Sequence, residues 1–311
     1  MKKLTTLLLA LFMVVLVGCQ SATPSTNDKD ASDDGVITIE HLKGTSKIEG
    51  EVKKAVVFDF GVLDTIDALE IDVELAIPTS SLPEYLEDYA DATSAGGIKE
   101  PDFESIFTFE PDVIFISGRQ EDYYDQLNEI APTIFVRNRP ESFMEDFEQN
   151  TLNVARIFDK EDEAEDMLDA IEDEIESARE VIKDSEETAL IILANDGSIS
   201  AYGLESRFGI IHDVLNVKVS DENIDSSTHG QRVNFEYISE VNPDILYVVD
   251  RAAVVGGEKD GIATLDNALV NGTKAAQNDK IIYLSPDYWY LSSGGLTSVS
   301  EMVKEAVVPF R

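Results

Sequence analysis

Three arginines stand beside short turns in a chain whose charged residues are mostly acidic. Arg119 and Arg251 each follow a run of apolar residues typical of a buried strand, and Arg207 lies between two glycines, before a predicted helix. A guanidinium keeps its charge and presents a planar fork of donors that matches anionic oxygens. Together the three predict a site for a compact polyanion. The alternative is that each arginine forms an ordinary surface ion pair with one of the many acids.

An internal repeat places two of these arginines at equivalent positions. The segment Asp102–Arg119 recurs 132 residues later as Asn234–Arg251, with six of 18 positions identical, where average composition predicts about one match. Each copy predicts a helix, a Pro-Asp turn, a buried strand and a closing arginine, which indicates two similar lobes rather than a generic helix–turn–strand unit. Ligands of open α/β sheets bind beyond the carboxyl ends of the strands, so both arginines can face one cleft.

Short apolar runs alternate with amphipathic stretches, which predicts an α/β fold of two Rossmann-like lobes joined by a long rigid α-helix. The helix is expected over Glu161–Asp184, and neither Gly nor Pro occurs between Glu141 and Lys183, so we expect little closure on binding. The expected domains are an N-terminal lobe (37–141), a connecting helical segment (142–186) and a C-terminal lobe (187–311). The predicted strands are Ala55–Phe58, Asp112–Ser117, Thr133–Val136, Ala189–Leu193, Ile245–Val249 and Lys280–Leu284.

The composition limits the partners. The 311 residues include 24 Lys and Arg and 62 Asp and Glu, which gives a formal net charge of −38. A nucleic-acid binder needs a basic face, and no run of basic residues occurs, so nucleic acid is excluded as the main ligand. The acids are spread along the chain, which favours a solvated surface adapted to salt or alkali over attraction of a cationic ligand.

The amino terminus predicts export. A basic start and an apolar run from Leu7 to Val17 are typical of a signal peptide, here residues 1–18. The sequence that ends in Cys19 resembles the lipobox of bacterial lipoproteins, in which the cysteine becomes lipidated. The polar segment 19–36 then reads as a flexible tether. We expect a protein anchored by lipid to the outer face of the cytoplasmic membrane, in a Gram-positive type of envelope.

Motifs for catalysis are missing from the sequence. It contains no nucleophile elbow, phosphate-binding loop or zinc-protease motif, and only three histidines, His41, His212 and His229. Cys19 is the sole cysteine. We therefore expect a binding protein without an intrinsic cofactor rather than an enzyme.

Several motifs together resemble the iron-siderophore substrate-binding proteins of ABC importers, in particular the branch that binds ferric catecholates such as petrobactin. The resemblance covers residues 37–310. The motifs are Ile199-Ser200-Ala201-Tyr202-Gly203, Ser206-Arg207-Phe208-Gly209, Thr228-His229-Gly230, Val249-Asp250-Arg251, Lys274-Ala275-Ala276-Gln277-Asn278 and Tyr288-Trp289-Tyr290-Leu291-Ser292.

The resemblance implies roles for individual residues. Arg119, Arg207 and Arg251 match the arginines that hold catecholate oxygens. His229 and Tyr290 match residues that complete the iron shell when the siderophore supplies only four oxygens, although His229 could instead hydrogen-bond within its loop and Tyr290 only wall the pocket. The remaining residues assigned to the ligand site are Tyr202 and Trp289, and the indole could instead pack in the core.

The resemblance also implies partners. Glu104 and Glu236, the repeated glutamates, match the acids that dock each lobe onto arginines of a dimeric permease; otherwise they are ordinary glutamates on a helix surface. The expected protein is a monomer that binds iron only as a siderophore complex. The alternatives are a cobalamin or haem receptor of the same fold, or a tethered enzyme or adhesion module. The sequence leaves the particular siderophore open.

Overall fold

A computed structural model describes residues 35–227, 229–257 and 260–311. Its N-terminal lobe begins with an antiparallel hairpin and continues as a five-stranded parallel sheet of order β5-β4-β3-β6-β7. The elements are β1 (Val36–His41), β2 (Gly44–Glu49), β3 (Lys54–Val57), α1 (Phe60–Ala68), β4 (Glu74–Ile77), β5 (Thr93–Ser94), α2 (Phe103–Phe109), β6 (Val113–Ile116), α3 (Tyr124–Asn128) and β7 (Thr133–Phe135). All four residues of β6 are buried, as expected for a strand covered on both faces.

The connection between the sheets is two helices, α4 (Phe143–Ile157) and α5 (Glu161–Ile182). The long helix expected over Glu161–Asp184 is α5, and α4 precedes it as a separate helix of the connecting segment. Asp159 adopts a left-handed conformation (φ 54°), and the amide of Lys160 returns to the carbonyl of Ala155 at 2.9 Å, which ends α4. Side chains of α4 enter both cores, whereas α5 packs only on the core of the C-terminal sheet.

The C-terminal lobe contains a sheet of order β11-β9-β8-β12-β13, with β10 paired beside the start of β8. Strands β8, β12 and β13 are parallel, and β9 and β11 add antiparallel strands. The elements are β8 (Thr188–Asn195), β9 (Ser198–Tyr202), β10 (Lys218–Val219), β11 (Gln231–Val233), α6 (Phe235–Val241), β12 (Ile245–Asp250), α7 (Arg251–Val255), α8 (Gly261–Leu265), α9 (Ala268–Asn271), α10 (Lys274–Gln277), β13 (Ile281–Leu284) and α11 (Leu296–Ala306). The six strands predicted from sequence are all present.

The internal repeat is a repeat of structure. The helices α2 and α6 begin at side-chain caps, Asp102 and Asn234, and each ends at a left-handed residue. After each helix, an aspartate holds the start of the neighbouring central strand. Asp112 accepts the amide of Lys54 at 2.9 Å, and Asp244 accepts the amide of Thr188 at 3.1 Å.

A buried carboxylate joins the two lobes. Asp64 of α1 accepts the main-chain amides of Thr297 (2.9 Å) and Ser298 (2.7 Å) at the start of α11, and the Tyr85 hydroxyl at 2.9 Å. Burial raises the pKa of Asp64, and these hydrogen bonds oppose the rise. A side chain at Gly295 would collide with the carboxylate. Asp64 therefore caps a helix of the opposite lobe.

Replacing Asp64 with Ala should lower the free energy of unfolding by about 3 kcal/mol, because it leaves two buried amides without an acceptor. Urea unfolding at neutral pH measures the loss. The control is Asp67→Ala on the same helix, whose exposed carboxylate accepts only the Tyr89 hydroxyl, and it should cost less than about 1 kcal/mol. Equal losses in the two variants would contradict the bridging role of Asp64.

Candidate functional site

The cleft lies where the central strands of both sheets end. In the N-terminal lobe the chain turns to opposite sides after β3 and β6, and in the C-terminal lobe after β8 and β12. Such a switch in strand order leaves a crevice beyond the carboxyl ends of the two strands. Gly61 and Arg119 lie at the first crevice, Asn195 and Arg251 at the second.

Two adjoining cavities of about 470 and 210 Å³ occupy this region and share Arg207, His229 and Tyr290 in their walls. The larger is lined mainly by the N-terminal lobe and the smaller by the C-terminal lobe. Polar residues of the smaller cavity include Asn195, Ser198, Ser200, Tyr202 and Arg251.

The three predicted arginines converge on a single residue. The main-chain oxygen of Tyr290 accepts Nη2 of Arg119 at 3.2 Å and Nη2 of Arg207 at 2.6 Å. Nε of Arg251 donates to the Tyr290 hydroxyl at 2.7 Å, and its Nη1 donates to Oδ1 of Asn195 at 2.7 Å. The guanidinium of Arg207 also lies over the Tyr290 ring, 4.2 Å from its centre. The structure thus brings together cations from both lobes that are distant in sequence.

This concentration of positive charge changes the acidity of its members. Burial and the charge of Arg119 lower the pKa of Arg207. Burial alone would raise the pKa of Tyr290, but the hydrogen bond from Arg251 and the charges of Arg207, Arg251 and Arg119 bring it below its ordinary value. The site therefore favours an oxyanion at the Tyr290 hydroxyl.

A π-helical turn, Asp287–Leu291, aims Tyr290 at the arginines and the neighbouring indole away from them. Trp289 is fully buried, and its Nε1 donates to Glu305 at 2.8 Å. The assignment of Trp289 to the ligand site is therefore wrong, because this side chain packs in the core and does not reach the cleft. Glu305 has a raised pKa owing to burial, opposed by hydrogen bonds from Ser285 and Trp289.

His229 and Tyr202 both line the smaller cavity. His229 is exposed and faces both cavities, whereas Tyr202 is buried and lines only the smaller one. Burial raises the pKa of Tyr202 to about 12, so it stays a neutral donor at physiological pH. Gly230 adopts φ 70°, and a Cβ there would lie 2.7 Å from the Tyr202 ring, so this close approach requires glycine.

Two further basic residues line the larger cavity, Lys99 and Arg137. The sequence interpretation did not include them, although Arg137 follows β7 much as Arg119 follows β6. Two carboxylates, Asp59 and Glu121, line the same cavity. Glu121 lies 2.7 Å from Nζ of Lys43 and 4.0 Å from Nη1 of Arg137, and the hydrogen bond from Lys43 helps to lower its pKa. The basic residues of the cleft thus extend beyond the predicted trio, and two acids lie among them.

The other predicted residues lie elsewhere. Glu104 and Glu236 are exposed in the first turns of α2 and α6 and do not line either cavity. Cys19, the signal peptide and nearly all of the tether fall outside the described residues, as does Thr228. Within the described ranges, no group of three His, Cys, Asp or Glu side chains could hold a metal ion, and no helix is long and apolar enough to cross a membrane.

The fold and the site together define a two-lobed solute-binding protein, with one cleft lined from both sheets. The sequence profile described as "Periplasmic binding protein" matches residues 56–288, and the chain belongs to this family. The expected family and fold class are confirmed.

Relatives extend over nearly the whole chain. The petrobactin-binding protein YclQ of Bacillus subtilis is 40% identical, with 98% of each chain covered. Its crystal structure matches with a TM-score of 0.86, over 89% of this chain and 99% of that one. The ferric-anguibactin-binding protein FatB of Vibrio anguillarum is 29% identical over 95% and 94% of the two chains.

A further structural match is the catecholate-siderophore-binding protein VctP of Vibrio cholerae. It is 32% identical, has a TM-score of 0.82, and is matched over 87% of this chain and 99% of that one. These relatives are binding proteins, which confirms the expectation that the chain is not an enzyme.

The difference in near-ultraviolet absorbance between the wild type and Tyr290→Phe should show one phenolate that titrates below the ordinary tyrosine value of about 10. The neighbouring guanidiniums stabilise its ionised form, so Arg251→Gln should move this midpoint to higher pH. Spectrophotometric titration of the three proteins measures both effects. A midpoint at or above about 10 in the wild type would contradict the described electrostatics.

Proposed function

We propose that this protein captures a ferric siderophore of the catecholate type in the cleft and delivers it to an ABC permease. The observation that carries the proposal is the convergence of Arg119, Arg207 and Arg251, from both lobes, on the main-chain oxygen and hydroxyl of Tyr290. The names of the relatives support it, since they describe binding of petrobactin, of ferric anguibactin and of a catecholate siderophore.

The charge of the ligand matches the charge of the site. A ferric tris-catecholate carries three negative charges on an oxygen-rich surface, and three guanidiniums offer it charge-assisted hydrogen bonds. The larger cavity, about 470 Å³, falls in the range of small-molecule sites. A cleft walled by arginines favours such an anion over the largely apolar surface of cobalamin or haem.

The three guanidiniums share neutral acceptors, the Tyr290 carbonyl and hydroxyl. Each guanidinium has five N–H donors, more than these acceptors take up. The charged oxygens of a catecholate trianion form stronger hydrogen bonds with such donors than neutral acceptors do.

For a siderophore that supplies only four oxygens, we propose that His229 and Tyr290 complete the iron shell. Both face the same two cavities, and the lowered pKa of Tyr290 favours the phenolate that Fe³⁺ prefers. The iron is cargo and arrives with its siderophore.

The amino terminus determines where the protein acts. We propose that residues 1–18 direct export and that Cys19 carries the lipid. The protein, as a monomer, then reaches the permease from the outer face of the cytoplasmic membrane. Glu104 and Glu236 would meet one basic residue in each half of a dimeric permease. Their equivalent positions in the two lobes support this arrangement.

Changing Arg119, Arg207 or Arg251 singly to Ala should weaken binding of a ferric tris-catecholate about ten- to a hundredfold, since a hydrogen bond to a charged group contributes about 1.5–3 kcal/mol. Quenching of intrinsic fluorescence, with a ferric hydroxamate alongside, measures affinity and selectivity. Arg156→Ala, an exposed arginine 3.8 Å from Glu161 and outside the cavities, is the matched control. Unchanged affinity in all three variants would refute the site.

With a tetradentate ferric bis-catecholate, the visible charge-transfer band of the complex should differ between the wild type and both Tyr290→Phe and His229→Ala. Each variant removes one protein ligand from the iron. A hexadentate tris-catecholate, whose iron shell is complete, is the control and should give the same band in all three proteins. Identical spectra with the tetradentate ligand would show that neither side chain binds iron.

A further inference from the structure

The most exposed large apolar side chain among the described residues lies one turn from a proposed docking glutamate. Phe107 of α2 is 70% exposed, and it stands three residues after Glu104, on the same side of the helix. A single exposed phenylalanine is common on protein surfaces. Phe107 differs because it lies beside Glu104, a proposed docking residue.

The corresponding helix of the other lobe has a different surface. The shift of 132 places Ser239 opposite Phe107 and Glu240 opposite Thr108. Consequently α6 exposes two glutamates one turn apart, Glu236 and Glu240, where α2 exposes one glutamate and a phenyl ring. The two lobes are alike in fold and unlike in the chemistry of these faces.

Both helices begin on the side of the sheets where the ligand cleft opens. In the N-terminal lobe, the amide of Asp102 donates to Ala95, whose own amide donates to Ile77 at the carboxyl end of β4. The other end of α2 lies at the opposite edge, where the carbonyl of Phe109 accepts Nζ of Lys54 at the start of β3.

The C-terminal lobe has the same arrangement, since α6 ends beside Asp244, which holds Thr188 at the start of β8. Glu104 and Glu236 thus border the side through which a ligand leaves. A partner that receives the ligand must cover this side, and acidic faces call for cationic side chains on that partner.

We infer that the two lobes dock by unlike contacts: Phe107 inserts into an apolar depression of the permease beside the cation that meets Glu104, while Glu236 and Glu240 together bind a more basic surface under the C-terminal lobe. This inference rests on the proposed delivery to a permease. It adds an apolar anchor on one lobe and a second carboxylate on the other.

The test measures binding of the siderophore-loaded protein to its permease in lipid nanodiscs at low and high salt. Phe107→Ser should weaken binding at least about tenfold at both salt concentrations, as expected for a buried aromatic anchor. Glu240→Gln should weaken it several-fold at low salt only, because salt screens exposed charges. Val308→Ser, 51% exposed in the turn after α11, is the control and should bind normally.

A swap variant tests the asymmetry itself. Phe107→Ser combined with Ser239→Phe moves the phenyl ring to the other lobe, and we expect no recovery of binding; full recovery would overturn the inference. Siderophore affinity of every variant, measured by fluorescence quenching, should equal that of the wild type, which shows that each is folded.

The double variant Glu104→Ala/Glu236→Ala distinguishes the proposed docking through these glutamates from the inferred unlike contacts of the two lobes. If it binds the permease normally, the proposed docking is wrong. If it fails to bind while Phe107→Ser and Glu240→Gln bind normally, docking stands and the unlike contacts are wrong.

Discussion

Three guanidiniums that repel one another share one cleft, and the fold has to hold them there. Arg119, Arg207 and Arg251 come from distant parts of the sequence, and each would be better solvated alone in water. The carbonyl and hydroxyl of Tyr290 give them common acceptors, and the ring of Tyr290 lies under two of the charges. The three arginines are therefore held in one place, which lowers the cost of assembling them around an anion.

Holding charges from two lobes in one place requires lobes that do not drift apart. Asp64 supplies the junction, because it accepts two amides at the start of α11 from within α1. Helix α4 reinforces the junction by sending side chains into both hydrophobic cores. The expectation of small closure rested on the long helix over Glu161–Asp184 and on the absence of Gly and Pro from Glu141 to Lys183. Because α5 packs only on the core of the C-terminal sheet, the buried contact of α1 with α11 is the stronger reason for stiffness.

The sequence predicted the fold well where physical signals are local. Runs of Val, Ile and Phe marked all six predicted strands, and the repeat located the equivalent strand-end arginines. The strand β9 was not predicted, although Asp196-Gly197, with φ angles of 49° and 79°, is a strong signal for a two-residue hairpin. The start of α5 at Glu161 was predicted, whereas α4 was expected only as part of a helical segment, because an aspartate takes the left-handed conformation usually given to glycine at its end. Trp289 was misassigned because the π-helical turn, which no local pattern indicates, decides which aromatic side chain points inward. The contribution of Lys99 and Arg137 depends on loops that meet only in the folded chain.

The acceptor shared by Arg119 and Arg207 is a peptide oxygen, so the genetic code offers no amino acid at position 290 that deletes it. Substitution of the tyrosine removes only the partner of Arg251 and the ring beneath the charges. The acceptor of the other two arginines is positioned by the backbone conformation of Asp287–Leu291. Divergence at this position can therefore remove the hydroxyl and the ring while Arg119 and Arg207 keep their common acceptor.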